Sequence, residues 1–436
     1  MKDPSVWRLV VLVIAALVLA GCAVNPVTGK RELALVQVST DQEIEIGQKT
    51  FPEAVQQMGG EYRDPVLDNY VRQVGQNLGR VTQRPDLPFE FKVVNDSTPN
   101  AFALPGGFVA ITRGLLSNLE NEAQLASVLG HELGHVTARH AVQGMQRGTL
   151  LNLGMAVLSG VTGQSSYGTL AQQTGQLAAQ LLDNTYSREQ ERESDRLGVD
   201  YMVLAGYDPR GAVQLQEYFY RQVEQGAEPQ WITGLFRTHP FSKERMIDLQ
   251  TYIAGQYPNT TGNPRYVLKP QPFQQAVARL REAKQGFELY EQAREAEKQG
   301  QLSQAVALYL QAATAAPNQG LILTGLGMAY VKAGDLQSGR RYLAEAVQFD
   351  GRYFRSRLGL GYVLLEQGRA TEANRELEES MKLLPTLQGG FLLAQSYEKS
   401  GEQARAVELY QAVAEADPSG RLGQAAGERL RLLEGR

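Results

Sequence analysis

Residues 131–135 read His131-Glu132-Leu133-Gly134-His135, inside a run of Ala, Leu and Val that begins after Asn121 and Gln124. Asn121 with Gln124 makes a capping-box start, and the apolar pattern that follows predicts a helix through about Val142. On such a helix His131 and His135 lie one turn apart, about 40° in projection, so both imidazoles face the same way. That spacing lets two ring nitrogens reach one metal ion. Glu132 is rotated by one residue step and sits beside the metal, where it can take a proton from a metal-bound water. Val128, Leu129, Leu133 and Val136 would bury the remaining faces, and two histidines in such a helix cost stability unless something satisfies them. With 4 His and 47 acidic residues in 436, chance supplies the pattern on the order of a few times in a thousand such chains.

A zinc hydrolase takes three protein ligands and keeps a fourth position for water. His140, five residues beyond His135, falls on another face and is read as structural or as a support for the ligands. The stronger third ligand lies in Ser187-Arg-Glu-Gln-Glu191-Arg-Glu-Ser-Asp195-Arg-Leu-Gly198. Glu189, Arg192, Glu193 and Arg196 read as a solvated face of i,i+3 and i,i+4 pairs. Glu191 and Asp195 instead share a stripe with Gly198 and Met202, the side that reads as buried, and two buried carboxylates need partners. Glu191 as ligand and Asp195 as the acceptor that orients a ligand histidine supply them.

Around this centre the chain divides. Lys2 and Arg8 precede an apolar run from Leu9 to Gly21, too short to span a bilayer comfortably but suited to a secretory leader. It ends Leu19-Ala20-Gly21-Cys22, and Cys22 is the single cysteine, which excludes an intramolecular disulfide and a thiolate zinc cluster. The pattern resembles a bacterial lipoprotein signal over 1–21, with Cys22 acylated. With Ala23 rather than Asp following, that resemblance implies an outer-membrane anchor and a periplasmic body; an ordinary signal peptide is the alternative. Residues 22–257 form the mixed catalytic segment, 258–275 a Pro-rich linker or wrapping strand, and 276–436 a series of amphipathic helix pairs. In the last region Gly300, Gly334, Gly368 and Gly401 recur at spacings of 34, 34 and 33, each just before a second helix. That period resembles tetratricopeptide repeats, which stack into a solenoid with a concave groove for a protein segment; an array that only covers the neighbouring domain or dimerises is the other reading. The net charge of -4 argues against nucleic acid as partner.

His131-Glu-x-x-His135 with Glu191-x-x-x-Asp195 on a later helix resembles the gluzincin metallopeptidases that include HtpX and the CAAX prenyl protease. Asn100-Ala-Phe-Ala-Leu-Pro-Gly-Gly107, Arg113-Gly-Leu-Leu116 and Thr238-His-Pro240 belong to the same resemblance, which spans roughly Asp41 to Leu249. With leader and repeats added, the chain resembles the periplasmic β-barrel assembly-enhancing proteases. The resemblance implies an α+β fold, a mostly helical zincin-like domain with a small sheet followed by an all-α repeat solenoid, and one zinc ion per chain. It implies Glu132 as catalytic base and unfolded or stalled outer-membrane polypeptides as substrates, with the barrel assembly machinery as a partner of the repeats. It gives Asn100, Ala101 and Phe102 a place on the strand beside the cleft, where a substrate adds as an extended strand; an ordinary core hairpin is the other reading. His239 is expected near the zinc, either stabilising the oxyanion or occupying the water position in a latent state. Residues 144–183 read as a helical hairpin or lid, or as plain core. The competing functional class is a lipid-anchored repeat chaperone or adaptor whose metal site is latent.

Overall fold

The computed structural model describes residues 22–25, 27–33, 38–145, 168–224, 234–260, 262–433 and 435. Residues 1–21, and with them the leader, lie outside these, as do 146–167 of the expected lid. Among the described residues no helix is long and apolar enough to cross a membrane.

Cys22 opens a short hairpin, β1 (Cys22–Val24) against β2 (Arg31–Leu33), antiparallel. Two helices follow, α1 (Thr40–Gln57) and α2 (Pro65–Gly79), started by Ser39 with a full capping box and by Asp64 with Pro65 in the first turn. The sheet has three strands in the order β3 (Glu90–Val94), β5 (Phe108–Thr112), β4 (Ala101–Leu104). β3 runs parallel to β5, and β4 returns antiparallel to β5 through a turn in which Gly106 and Gly107 take φ of +83° and +105°. Among the described residues β4 is therefore an edge strand, joined to β5 on one side. By the alternation of antiparallel pairing, Asn100 and Phe102 turn their backbone groups toward β5, and Ala101 and Ala103 turn theirs outward.

Next come α3 (Arg113–Leu116) and α4 (Glu122–Thr137), the helix of the histidine motif. Asn121 caps α4 as expected, with Gln124 N–H donating to its side chain at 3.0 Å and Gln124 Oε1 reaching back to Glu120 N–H. The helix stops at Thr137 and not near Val142. Arg139 takes φ +60° and a new helix, α5 (His140–Met145), begins at once. Arg139 is held in this strained conformation by an ion pair, its Nε 2.6 Å from the buried carboxylate of Glu43, which accepts a hydrogen bond from Arg84 at 3.0 Å, and by its Nη2 donating to the Val38 carbonyl.

Then α6 (Gly168–Leu182), α7 (Arg188–Leu204) and α8 (Arg210–Glu224) follow, and after the turn α9 (Leu235–Thr238) comes α10 (Lys243–Gln256). The described part of the expected lid, in α6, packs Leu177, Ala178 and Leu181 into the same core as Phe51 and Val55 of α1. The Pro-rich stretch is not a free linker. Val267 bridges Tyr207, and the carbonyls of Leu268 and Lys269 accept the N–H groups of Ala123 and Glu122, satisfying orphan donors at the start of α4.

The repeats pair α11 (Lys284–Lys298) with α12 (Leu302–Ala315), α13 (Gly320–Lys332) with α14 (Leu336–Phe349), α15 (Phe354–Glu366) with α16 (Ala370–Leu383) and α17 (Leu387–Ser400) with α18 (Gln403–Ala416). The four recurring glycines end the first helix of each pair with φ between +74° and +87°, the left-handed stop that only glycine takes cheaply. The array is welded to the domain that precedes it. Phe287 and Tyr290 share one core with Leu67, Val71 and Leu115, the Arg113 guanidinium stacks 3.6 Å from the Phe287 ring, and Arg63 pairs with Asp350 at 2.8 Å.

Candidate metal centre

Two helices bring three of the candidate ligands together, and glycine sets the distance between them. A Cβ on Gly198 of α7 would sit 2.8 Å from His131 N and 2.9 Å from Gly130 C, and one on Gly134 of α4 would sit 2.9 Å from Ser194 Cα. Only bare backbones allow α4 and α7 to cross this closely, and the crossing carries Glu191 to the two histidines.

One donor atom from each of His131, His135, Glu191 and His239 lies within 4.8 Å of the others. The Nε2 atoms of His131 and His135 are 3.1 Å apart, and His131 Nε2 is 3.3 Å from His239 Nδ1. Glu191 Oε1 is 3.3 Å from His135 Nε2 and 3.0 Å from His239 Nδ1, and its Oε2 is 3.6 Å from His131 Nε2. A tetrahedral zinc site with bonds near 2.05 Å places its ligand atoms about 3.3 Å apart. The outer ring nitrogens make the same case. His131 Nδ1 is 3.0 Å from Asp195 Oδ1, and His135 Nδ1 is 2.9 Å from His140 Nδ1. With both Nδ1–H groups donated outward, the two Nε2 lone pairs face each other, an arrangement that a cation between them stabilises. Glu132 Oε2 is buried with no hydrogen-bond partner, and its Oε1 lies 3.6 Å from His239 Nε2. The residues fit a zinc ion.

Electrostatics follow from burial and from one cation. Burial pushes the Glu132 carboxyl above its ordinary range, and it lowers His135 well below the usual imidazole value. Burial acts upward on Glu191 too, but His239 and Arg245 outweigh it and hold that carboxyl well below its ordinary range. For Asp195 burial is outweighed by Arg245 and His131, and for His239 it is outweighed by Glu191 and Glu132, which raise it. Arg245 is the residue that sequence reasoning missed. Its Nε and Nη2 grip the two oxygens of Asp195 at 2.8 Å each, its Nη1 holds Glu191 Oε2, and the same Nη1 donates to the Pro240 carbonyl at 2.9 Å. The one signal was an arginine three residues into a helix capped by Ser242, in a chain with two buried carboxylates to satisfy.

The charged face expected on α7 is different in kind. Glu189 and Glu193 reach Lys30 of the N-terminal hairpin at 2.9 and 3.1 Å, and Arg192 reaches Asp248 at 2.8 Å. Arg196 lies over the Tyr252 ring. These partners come from distant elements, which a helical projection cannot display. Glu193 also lies 3.1 Å from His140 Nε2. Tyr186, unremarked in the sequence, stacks 3.8 Å from the His135 ring. Asn100, Ala101 and Phe102 are buried, with Asn100 N–H donating to Thr112 Oγ1, and just ahead of β4 the Pro99 carbonyl accepts Leu235 N–H at 2.9 Å. Beside the metal cluster a cavity of about 50 Å³ is walled by Val128, Leu215, Phe219, Leu235 and Phe241.

Comparison with known proteins agrees with this centre. Residues 65–253 match peptidase family M48, and residues 290–352, 324–385 and 358–421 match the tetratricopeptide repeat. The chain is 32% identical over 193 residues to the beta-barrel assembly-enhancing protease of Escherichia coli K12, a match covering 42% of this chain and 38% of that one. It is 30% identical over 213 residues to the protein of the same name from Yersinia pestis, covering 47% and 43%. It is 32% identical over 239 residues to the mitochondrial metalloendopeptidase OMA1 of Schizosaccharomyces pombe, covering 52% and 65%. The chain thus spans less than half the length of the two bacterial relatives. The histidine and glutamate cluster sits within the matched segment, and the chain carries a peptidase family M48 domain followed by tetratricopeptide repeats.

Proposed function

We propose that the chain is a zinc-dependent metalloendopeptidase that cleaves unfolded or stalled polypeptides. The observation that carries this is the convergence of three ring nitrogens and the Glu191 carboxylate beside the buried carboxyl of Glu132, whose Oε2 has no hydrogen-bond partner. His131, His135 and Glu191 would hold the ion, with Asp195 and His140 orienting the two histidine rings. Zinc bound there would supply Lewis acidity to a peptide carbonyl and to a water. Glu132 would take a proton from the attacking water as the new C–O bond forms, and return it to the amine nitrogen as the C–N bond breaks. The outward backbone groups of Ala101 and Ala103 would receive the substrate as an added strand, a mode that asks little of its side chains.

His239 supports a second, compatible reading. Its Nδ1 stands where a fourth ligand would, which favours a latent state in which the water position is filled. Replacing His239 by Ala raises basal cleavage if that reading holds and lowers it if the ring stabilises the oxyanion. The resemblance of residues 1–22 to a lipoprotein leader supports placing the enzyme in the periplasm, anchored to the outer membrane through Cys22. The relatives' printed names support a role in outer-membrane protein assembly. The repeats would hold a protein partner in a groove of about 720 Å³ with an apolar floor that includes Leu321, Leu358 and Tyr362. Four cations (Arg294, Lys298, Lys332, Arg355) and one anion (Glu297) line it; Arg294, Lys298 and Lys332 pair with Glu291, Glu295 and Glu297, while Arg355 lies over the Phe354 ring, so a partly apolar segment with an acidic group for Arg355 suits it.

The test compares the chain from residue 23 onward with its Glu132→Gln variant on an unfolded protein, at equal measured zinc. Cleavage by the parent and none by the variant, with zinc retained in both, supports the assignment. Absence of bound zinc in the parent overturns it.

A further inference from the structure

A line of charged and ring atoms runs from the N-terminal hairpin to one of the metal-binding histidines. Asn25 seats the hairpin on the end of α4: its Nδ2 donates to the Ala138 carbonyl at 2.8 Å, while its Oδ1 accepts Val27 N–H and Thr28 N–H and so shapes the turn. This brings Lys30 over α7, where its Nζ is 3.1 Å from Glu193 Oε1 and 2.9 Å from Glu189 Oε1. The other oxygen of Glu193 is 3.1 Å from His140 Nε2. His140 Nδ1 is in turn 2.9 Å from His135 Nδ1, and His135 Nε2 is one of the four converging donor atoms.

The donors and acceptors run in a single consistent direction. His140 donates Nε2–H to Glu193, which leaves Nδ1 as the acceptor for His135 Nδ1–H, which leaves His135 Nε2 bare for a metal. Glu193 serves the two neighbours with separate oxygens, so Lys30 and His140 do not compete. Both His135 and His140 are buried, whereas Lys30 is half exposed. The line therefore carries a surface contact of the hairpin into the metal centre.

We propose that Lys30 is a positioning residue for the metal site, acting through Glu193 and His140 on the ring of His135. This rests on the reading of His131, His135, Glu191 and His239 as metal-binding. The hairpin that follows Cys22 is then part of the outer support of the metal centre, and the turn at Arg139, which starts α5 at His140, is what places the intermediate ring.

The experiment measures zinc affinity of the full chain by chelator competition, with the visible spectrum of the cobalt-substituted protein as a second readout of ligand geometry. Glu193→Gln is expected to weaken zinc roughly tenfold, as for other residues that orient a ligand histidine. Lys30→Met is expected to weaken it roughly threefold to fivefold, and Lys30→Arg to restore the parent value. Glu189→Gln, which removes the contact of Lys30 that leads nowhere near the metal, stays within roughly twofold. The deciding measurement is the double variant: Lys30→Met adds nothing in a Glu193→Gln background and keeps its full effect in a Glu189→Gln background. An unchanged zinc affinity and cobalt spectrum in Lys30→Met overturn the proposal, whatever happens to the melting temperature. So does an effect of Lys30→Met that survives Glu193→Gln. A parent chain that binds no zinc would instead remove the metal site itself, an outcome distinct from either.

Discussion

Replacing Gly198 by Ala tests whether the crossing of α4 and α7 sets the metal geometry. The new methyl group would meet His131 N at 2.8 Å and Gly130 C at 2.9 Å, roughly 0.6 Å inside ordinary contact. Both obstacles are backbone of a buried helix, so no side chain can swing aside, and the helices must separate. Metal sites tolerate ligand displacements of only about 0.2 Å. Glu191 lies two turns along the same helix and is the carboxylate among the four candidate ligands, so a shift of a few tenths of an ångström reaches it. Overpacking of this kind costs about 1–3 kcal/mol of stability. The expected result is a folded protein, with a melting temperature lower by a few degrees, whose zinc affinity falls by about tenfold or more. Chelator competition and calorimetry measure the two quantities. Gly255→Ala is the control, since nothing lies within 4 Å of a Cβ there and the exposed helix gains about 1 kcal/mol from alanine. Gly198→Ala that binds zinc within twofold of the parent would refute the reasoning, because the close approach would then have no bearing on the ligands.

Arg245→Met leaves Glu191 and Asp195 buried without their shared cation, so a loss of about 3–5 kcal/mol is expected, together with weaker zinc binding; denaturant unfolding in chelator and in zinc separates the two. Glu53 is buried against α6, and burial alone pushes its carboxyl up to about 8. The folded state therefore keeps a proton that the unfolded chain has lost, so stability is greatest below about pH 4.5 and declines as pH rises toward 8, at about 1.4 kcal/mol per unit. Glu53→Gln should be matched to the parent at pH 4.5 and progressively more stable up to pH 8; parallel melting curves across that range would contradict this. In the repeat groove, Arg355→Glu should weaken capture of an acidic, partly apolar peptide and flatten its dependence on salt, read by fluorescence anisotropy at two ionic strengths.

The readable parts of the site were those governed by helical period. His131 and His135 at one turn, and Glu191 and Asp195 at another, fall on single faces, and each pair lies where its own helix projects it. The repeats were legible for a related reason, since their glycines recur at a fixed offset and each stops a helix. The break after Thr137 was not legible, because the left-handed position is filled by Arg139, whose cost is met by Glu43 more than ninety residues away. Arg245 was missed for the same reason: nothing local distinguishes a guanidinium that spans two carboxylates from one in solvent. The parallel pairing of β3 with β5 is likewise a long-range choice, made by α2 and α4 packing on the sheet, and the turn signal at 95–99 is silent about it.

The shared core between the catalytic domain and the first repeat bears on how the array could have been gained or altered. Phe287 and Tyr290 spend their apolar faces on the same cluster as Leu67 and Leu115. A cut between the modules would uncover both, so neither half is a free-standing cassette. At the opposite end of the described array the helix Arg421–Leu433 leaves Leu432 exposed, so changes there leave the shared core intact. Length and cargo can then diversify outward while the register of the groove against the peptidase stays pinned at its root.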